Sequence, residues 1–182
     1  TRDYRFTMNS NGKTLLQIRN LAVAVTTDDG IVQAVNGVSY DVPAGHAIGI
    51  VGESGSGKSV SQLAVMRLVA RPAGRITSGE VLFEGINLLD LNDTEMRRIR
   101  GNQIAMIFQD PMNSLNPVYT VGKQIEESIR LHHGATKIEA RARAVELLDL
   151  VGIPSPADRI KDYPHQLSGG MQQRAMIAMA IS

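Results

Sequence analysis

The run Gly52-Glu53-Ser54-Gly55-Ser56-Gly57-Lys58-Ser59 satisfies the phosphate-loop pattern G-x-x-x-x-G-K-[ST] at every position. Glycines at these places let the backbone curl so that successive N–H groups point inward around phosphate oxygens. Lys58 is then the residue that reaches the β- and γ-phosphates, and the Ser59 hydroxyl is suited to ligate Mg²⁺. Gly52, Glu53, Ser54, Gly55, Ser56, Gly57, Lys58, Ser59 and Val60 are the candidate nucleotide-binding residues, with Lys58 also a candidate catalytic residue. The plain alternative is an ordinary Gly/Ser turn. The flanking sequence argues against it, because a short apolar run at 47–51 reads as a strand and 60–68 reads as a helix. A helix starting there adds partial positive charge where phosphate would lie.

Two other places carry chemistry. In Phe108-Gln109-Asp110-Pro111 an apolar run delivers a glutamine into a Pro-bounded loop. A carboxamide can ligate a metal through its oxygen and hydrogen-bond water through its nitrogen, so Gln109 is a second candidate catalytic and metal-ligating residue beside Ser59. Standing alone, such a Gln is more simply satisfied by local backbone. The third place is Leu167-Ser168-Gly169-Gly170-Met171, a Ser-Gly-Gly run entering a helix and rich in N–H groups. Standing alone, it is a helix cap.

The elements that position these residues are readable in outline. Residues 15–25 and 31–42 read as extended, joined at the hairpin-type turn Asp28-Asp29-Gly30. Residues 79–83 form another short strand, and 103–108 are short and apolar enough for a buried one. Asn92-Asp93-Thr94-Glu95 and Thr136-Lys137-Ile138-Glu139 have the form of capping boxes, predicting helices to about Arg100 and through Val151. Between them 121–133 is helical, Gly152 and Pro154 stop the second helix, and Ser168 is the expected N-cap of a helix over 171–181.

Composition narrows the class. At 182 residues, 43% hydrophobic and 20% charged, the chain can bury a real core and is globular in character. The net charge of +1 implies no acidic polymer as partner, and the absence of cysteine removes thiolate metal sites. No apolar run approaches the ~20 residues of a membrane helix. Other features take bland readings. His132 and His133 diverge on a helix and lack a third ligand. Arg97, Arg98 and Arg100 beside Asp93 and Glu95 form a solvated face rather than a nucleic-acid contact, and Met106, Met112, Met176 and Met179 fill core.

Taken in this order and at these separations, the three motifs resemble those of the ATP-binding subunits of ABC transporters, over nearly the whole chain from Leu15 to Ser182. The longer strings, Gly49 through Ser59, Ile107 through Pro117 and Tyr163 through Met171, look like the dipeptide/oligopeptide/nickel importer branch. The resemblance implies an α/β P-loop NTPase fold, with a RecA-like parallel sheet core, an antiparallel β subdomain and an α-helical subdomain. Along the chain it implies an N-terminal extension over 1–14, a nucleotide-binding core with the β subdomain over 15–111, a helical subdomain over 112–166, and the signature motif with its helix over 167–182.

The same resemblance implies ATP and Mg²⁺ as ligands. ATP would lie on the phosphate loop of one subunit while Ser168, Gly169, Gly170 and Met171 of a facing subunit cover it. Gln109 would sense Mg²⁺ and the attacking water. The implied partners are two membrane-spanning permease subunits, a second ATP-binding subunit (like or unlike) and, indirectly, an extracytoplasmic solute-binding protein, with no nucleic acid. The implied place is the cytoplasmic face of the cell membrane. The cargo, peptides or nickel, is not readable.

Two departures carry expectations. The Walker B aspartate, catalytic glutamate and switch histidine of the family do not occur in this sequence, which leads to an expectation of slow or no hydrolysis by the isolated chain and of poor stability. Val25 stands where many relatives place an adenine-stacking aromatic, and Tyr40, alternating with Val38 and Val42, reads as core. A non-transport ABC ATPase of DNA repair or translation, or a nucleotide-binding module without hydrolysis, remain alternatives.

Overall fold

The computed structural model describes residues 13–108 and 114–182. These fall into two compact units, one reaching Asp93 and the other beginning at Thr94.

The first unit is built on a long antiparallel hairpin. Strand β1, Thr14–Thr27, turns at Asp28 and Asp29 into β2, Gly30–Pro43. Strands β3, Gly74–Phe83, and β4, Ile86–Asn87, complete a four-stranded sheet in the order β2-β1-β3-β4. The central strand β1 supplies Ile18, Leu21 and Val23 to the core, and β3 supplies Val81, all nearly inaccessible to solvent. Helix α1, Lys58–Val65, packs against β1 and β2 and buries Ala64 and Val65.

Helix α1 ends three residues before the sequence suggests. Arg67 takes a left-handed φ of 51°, and its guanidinium donates to the carbonyls of Leu91 at 2.5 Å and Leu88 at 3.4 Å. The same group meets the Asp93 carboxylate at 3.4 Å. The side chain is thus recruited across the unit to the backbone carbonyls of buried Leu88 and half-buried Leu91.

The two apolar runs at 47–51 and 103–108, expected to be strands, are not strands. Residues 47–51 have no ladder partner, and Ile48, Ile50 and Val51 are 42%, 38% and 93% exposed. In 103–108 only Ile104 forms a bridge, to Arg100, while Ile107 and Phe108 remain exposed. A strand exists only by hydrogen-bonding to another, and the single sheet among the described residues has no place for either run. The RecA-like parallel core is therefore not assembled within the described residues.

The second unit is helical. After α2, Asp93–Ile99, at the boundary, come α3, Val121–His133, α4, Lys137–Leu150, the short α5, Pro156–Arg159, a 3₁₀ turn at Pro164–Gln166, and α6, Gly169–Ala180. Thr120 caps α3, accepting from the Lys123 N–H, and Gly134 ends it at φ 63°. Thr136 and Glu139 form the full capping box at the start of α4. The core gathers Val121, Ile125 and Ile129 of α3, Ala140, Ala144, Leu147 and Leu148 of α4, and Ala175, Met176 and Ala178 of α6. No helix among the described residues is long and apolar enough to cross a membrane.

Candidate functional site: a phosphate loop and a Ser-Gly-Gly helix start

The phosphate loop closes on itself through its lysine. Lys58 Nζ donates to the carbonyl oxygens of Gly52 and Glu53, each at 2.6 Å, and to Ser56 Oγ at 3.1 Å. Gly55 and Gly57 take φ of 80° and 85°, the left-handed region that lets the chain curl here without a side-chain penalty. Gly57 is further constrained, since a Cβ there would run into the Ala34 carbonyl of β2. The loop is thus pressed against the hairpin, and only a residue without a side chain fits.

An anion suits what remains open. Gly57 caps α1 with no side-chain hydrogen bond, and no acidic residue stands in the first turn. The first N–H groups of the helix keep their partial positive charge for a ligand. A Cβ on Gly52 would lie 2.7 Å from Ser56 Oγ and 3.7 Å from Lys58 Nζ, so the loop interior is a cradle that a side chain would fill. The Ser59 hydroxyl sits exposed in the first turn with no hydrogen bond among the described residues. These features fit a triphosphate with its Mg²⁺. Val60 lies partly buried in the same turn, and the side chains of Glu53 and Ser54 are exposed.

Gln109 lies outside the described residues, as do Asp110, Pro111, Met112 and Asn113. The structure brings together no group of three or more metal-ligating His, Asp or Glu side chains among the described residues. His132 and His133 lie at the end of α3 without such company.

The Ser-Gly-Gly run occupies the start of α6. Ser168, at φ −65° and ψ 157°, accepts from the Met171 N–H at 3.4 Å. Gly169 and Gly170 are exposed in the first turn, which carries no acidic residue. Two side chains farther along the helix, unsuspected from the sequence, hold this end. Gln172 is 7% exposed, and its Nε2 donates to the carbonyls of Pro164 at 2.7 Å and Leu167 at 3.2 Å. Arg174 donates to the Gly152 carbonyl at 2.5 Å and to the Gly170 carbonyl at 3.3 Å. No periodicity distinguishes these residues from their polar neighbours.

Near the hairpin, Val25 pairs with Val32 and with Gly74. Tyr40 pairs with Ile18 and is half-buried, and burial pushes its phenol above the ordinary value of 10.0. Tyr40 is thus half-buried and not among the buried core residues, and Val38 of the same alternation is 37% exposed, so the core expectation is not met in full.

Similarity to known proteins agrees with this geometry. A family profile described as "ABC transporter" matches residues 35–182. The chain is 49% identical over 177 residues to a probable peptide ABC transporter ATP-binding protein of Sinorhizobium fredii, covering 96% of this chain and 53% of that protein. It is 51% identical over 168 residues to the oligopeptide transport ATP-binding protein OppD of Bacillus subtilis, covering 92% of this chain and 47% of the relative. The dipeptide transport ATP-binding protein DppD of Escherichia coli is 52% identical over 168 residues, with 92% and 51% covered. Among solved structures, a dimeric bacterial ABC transporter cassette superposes with a TM-score of 0.81 at 30% identity, covering 92% of this chain and 69% of that one. A dimeric post-hydrolysis state of an ATP-binding cassette bound to ADP and Pi gives 0.80 at 30% identity, with the same coverage. The fold is thus that of an ABC ATPase with its antiparallel β and helical parts, and the chain spans about half the length of the curated relatives it matches.

Proposed function

We infer the function from one premise: this chain belongs to the ABC transporter family. We propose that it is the ATP-binding part of an importer subunit, coupling ATP binding and hydrolysis to uptake of peptides or nickel across the cell membrane. The observation that carries the nucleotide part is the Lys58 ammonium held at 2.6 Å over two loop carbonyls, beside an uncapped helix start. The importer part rests on identities of about half to the oligopeptide and dipeptide transport proteins.

In this reading the N–H groups of the 52–60 loop bind the phosphates. Lys58 exchanges its contacts with Gly52 and Glu53 for phosphate oxygens. Ser59, with Gln109, would hold Mg²⁺, which offsets phosphate charge as bonds break. Ser168, Gly169, Gly170 and Met171 of one subunit would cover the triphosphate bound on another, so that ATP completes a dimer interface and hydrolysis releases it. The structural relative bound to ADP and Pi is itself a dimer, in keeping with this. Residues 15–111 would serve as nucleotide core with its β part, 112–166 as the helical part facing two permease subunits, and 167–182 as the signature segment. A solute-binding protein would select the cargo outside the cell, with this subunit peripheral on the cytoplasmic face.

Binding is tested on the chain itself by titrating ATP with and without Mg²⁺. Turnover and import are tested in the whole protein, with labelled dipeptide or Ni²⁺ uptake in cells lacking the gene. Uptake unaffected by its loss, together with recovery of ribosomes or DNA in pull-downs, would favour a non-transport ATPase instead.

A further inference from the structure

Gln172 is a polar side chain in the wrong place for stability. It is 7% exposed on α6, and its Oε1 is buried with no hydrogen-bond partner among the described residues. A buried acceptor left unpaired is unfavourable, and an apolar side chain of similar shape avoids that cost. Its amide nitrogen, however, is fully used. Nε2 bonds the carbonyls of Pro164 and Leu167, the first and last oxygens of the turn that leads into Ser168.

The Leu167 N–H itself donates to the Pro164 carbonyl at 3.0 Å, closing the turn from within. Gln172 adds the second fastening from below, one helical turn after Ser168. The buried Leu167 side chain and this amide together fix the direction in which the chain enters Ser168-Gly169-Gly170. Without the amide, the start of α6 is left with the Ser168 hydroxyl, which accepts from the Met171 N–H at 3.4 Å, and with Arg174 at the Gly170 carbonyl.

We propose that Gln172 is a positioning residue, holding the Ser-Gly-Gly turn in the shape that closes over the triphosphate bound by a second copy. This rests on the nucleotide-site reading above. In Gln172→Met the orphan acceptor disappears while the Leu167 carbonyl loses its donor. These effects oppose each other, so the melting temperature should stay within about 4 °C of the wild type.

The test is made in the full-length protein, with three readouts: thermal melting, Mg·ATP affinity of the monomer, and dimerisation driven by Mg²⁺ with a hydrolysis-resistant ATP analogue, followed by sedimentation. For Gln172→Met we expect unchanged monomer affinity and dimerisation weakened about tenfold, the scale of one or two lost hydrogen bonds. Wild-type dimerisation by the Met variant would overturn the proposal. So would a Met variant that melts far below the wild type, since Gln172 would then be core support. A wild-type protein that binds no Mg·ATP would overturn the nucleotide reading itself, and this inference with it.

Discussion

Lys58 Nζ lies 2.6 Å from the Gly52 carbonyl oxygen, so the last residues of the phosphate loop are tied to its first. The ammonium is therefore held by the loop's own oxygens, which phosphate oxygens must replace when a nucleotide binds. Its three contacts are all on one strongly bent segment, which keeps the ammonium inside the loop until a ligand displaces them. Charge-assisted bonds to phosphate must outweigh the carbonyl contacts given up.

Replacing that lysine should remove affinity while leaving the fold. Lys58→Ala deletes a charge-assisted contact, worth about 1.5–3 kcal/mol, or roughly a 10- to 150-fold rise in Kd for Mg·ATP. The calorimetric titration is compared with AMP, which lacks the β- and γ-phosphates. Unchanged AMP binding beside lost ATP binding is expected, and equal affinity of wild type and variant for ATP would refute the role.

Gly57 makes a separate demand. At φ 85° and against the Ala34 carbonyl, Gly57→Ala combines backbone strain with a steric clash. The expected cost is about 1–3 kcal/mol, with loss of nucleotide binding. Because the obstacle is a backbone oxygen, adding Ala34→Gly should restore nothing. Rescue by the double variant, measured by denaturant melts and ATP titration, would show that the close approach is not the cause.

What the sequence discloses follows from how local each determinant is. The bounds of α3, and the cap and box of α4, depend on residues within four positions of each other, and Thr120, Gly134, Thr136 and Glu139 announce them. The hairpin turn at Asp28-Asp29 and the curl at Gly55 and Gly57 are equally local. Apolar 47–51 is different, because a strand needs a partner from elsewhere, and the expectation failed where no ladder forms. Arg67, which ends α1 by reaching Leu91, and Gln172, which reaches back to Pro164, act over distances that no short pattern encodes.

The capping box on α4 makes the helical unit sensitive to acid. Side-chain and backbone hydrogen bonds from Thr136 hold the Glu139 carboxyl below its ordinary value of 4.5. A lowered carboxylate value means that the ionised form is favoured in the fold. Its contribution is present above pH 4.5 and is lost as pH falls through the lower folded value. Urea melts of wild type and Glu139→Gln should differ near neutrality and converge as the solution is acidified. A constant difference down to strongly acidic pH would contradict the assignment.

Glu126 of α3 is a buried carboxylate whose side chain is 10% exposed, and Arg141 of α4 meets it at 2.9 Å. The pair fastens the two helices that provide half of the buried residues of the helical core. Arg141 is itself 45% exposed, so solvent screens its end of the contact and the net worth of the pair is modest. Removing only the arginine is nevertheless costly, because Glu126 keeps its charge or its unmet oxygen inside. Arg141→Met should destabilise the unit by about 1–3 kcal/mol. Glu126→Leu combined with Arg141→Met removes both polar ends and should recover most of that loss. Chemical denaturation of the single and double variants decides it: additive losses would mean that Arg141 acts through its aliphatic packing, and recovery would mean that the unpaired carboxylate is what the fold cannot accommodate.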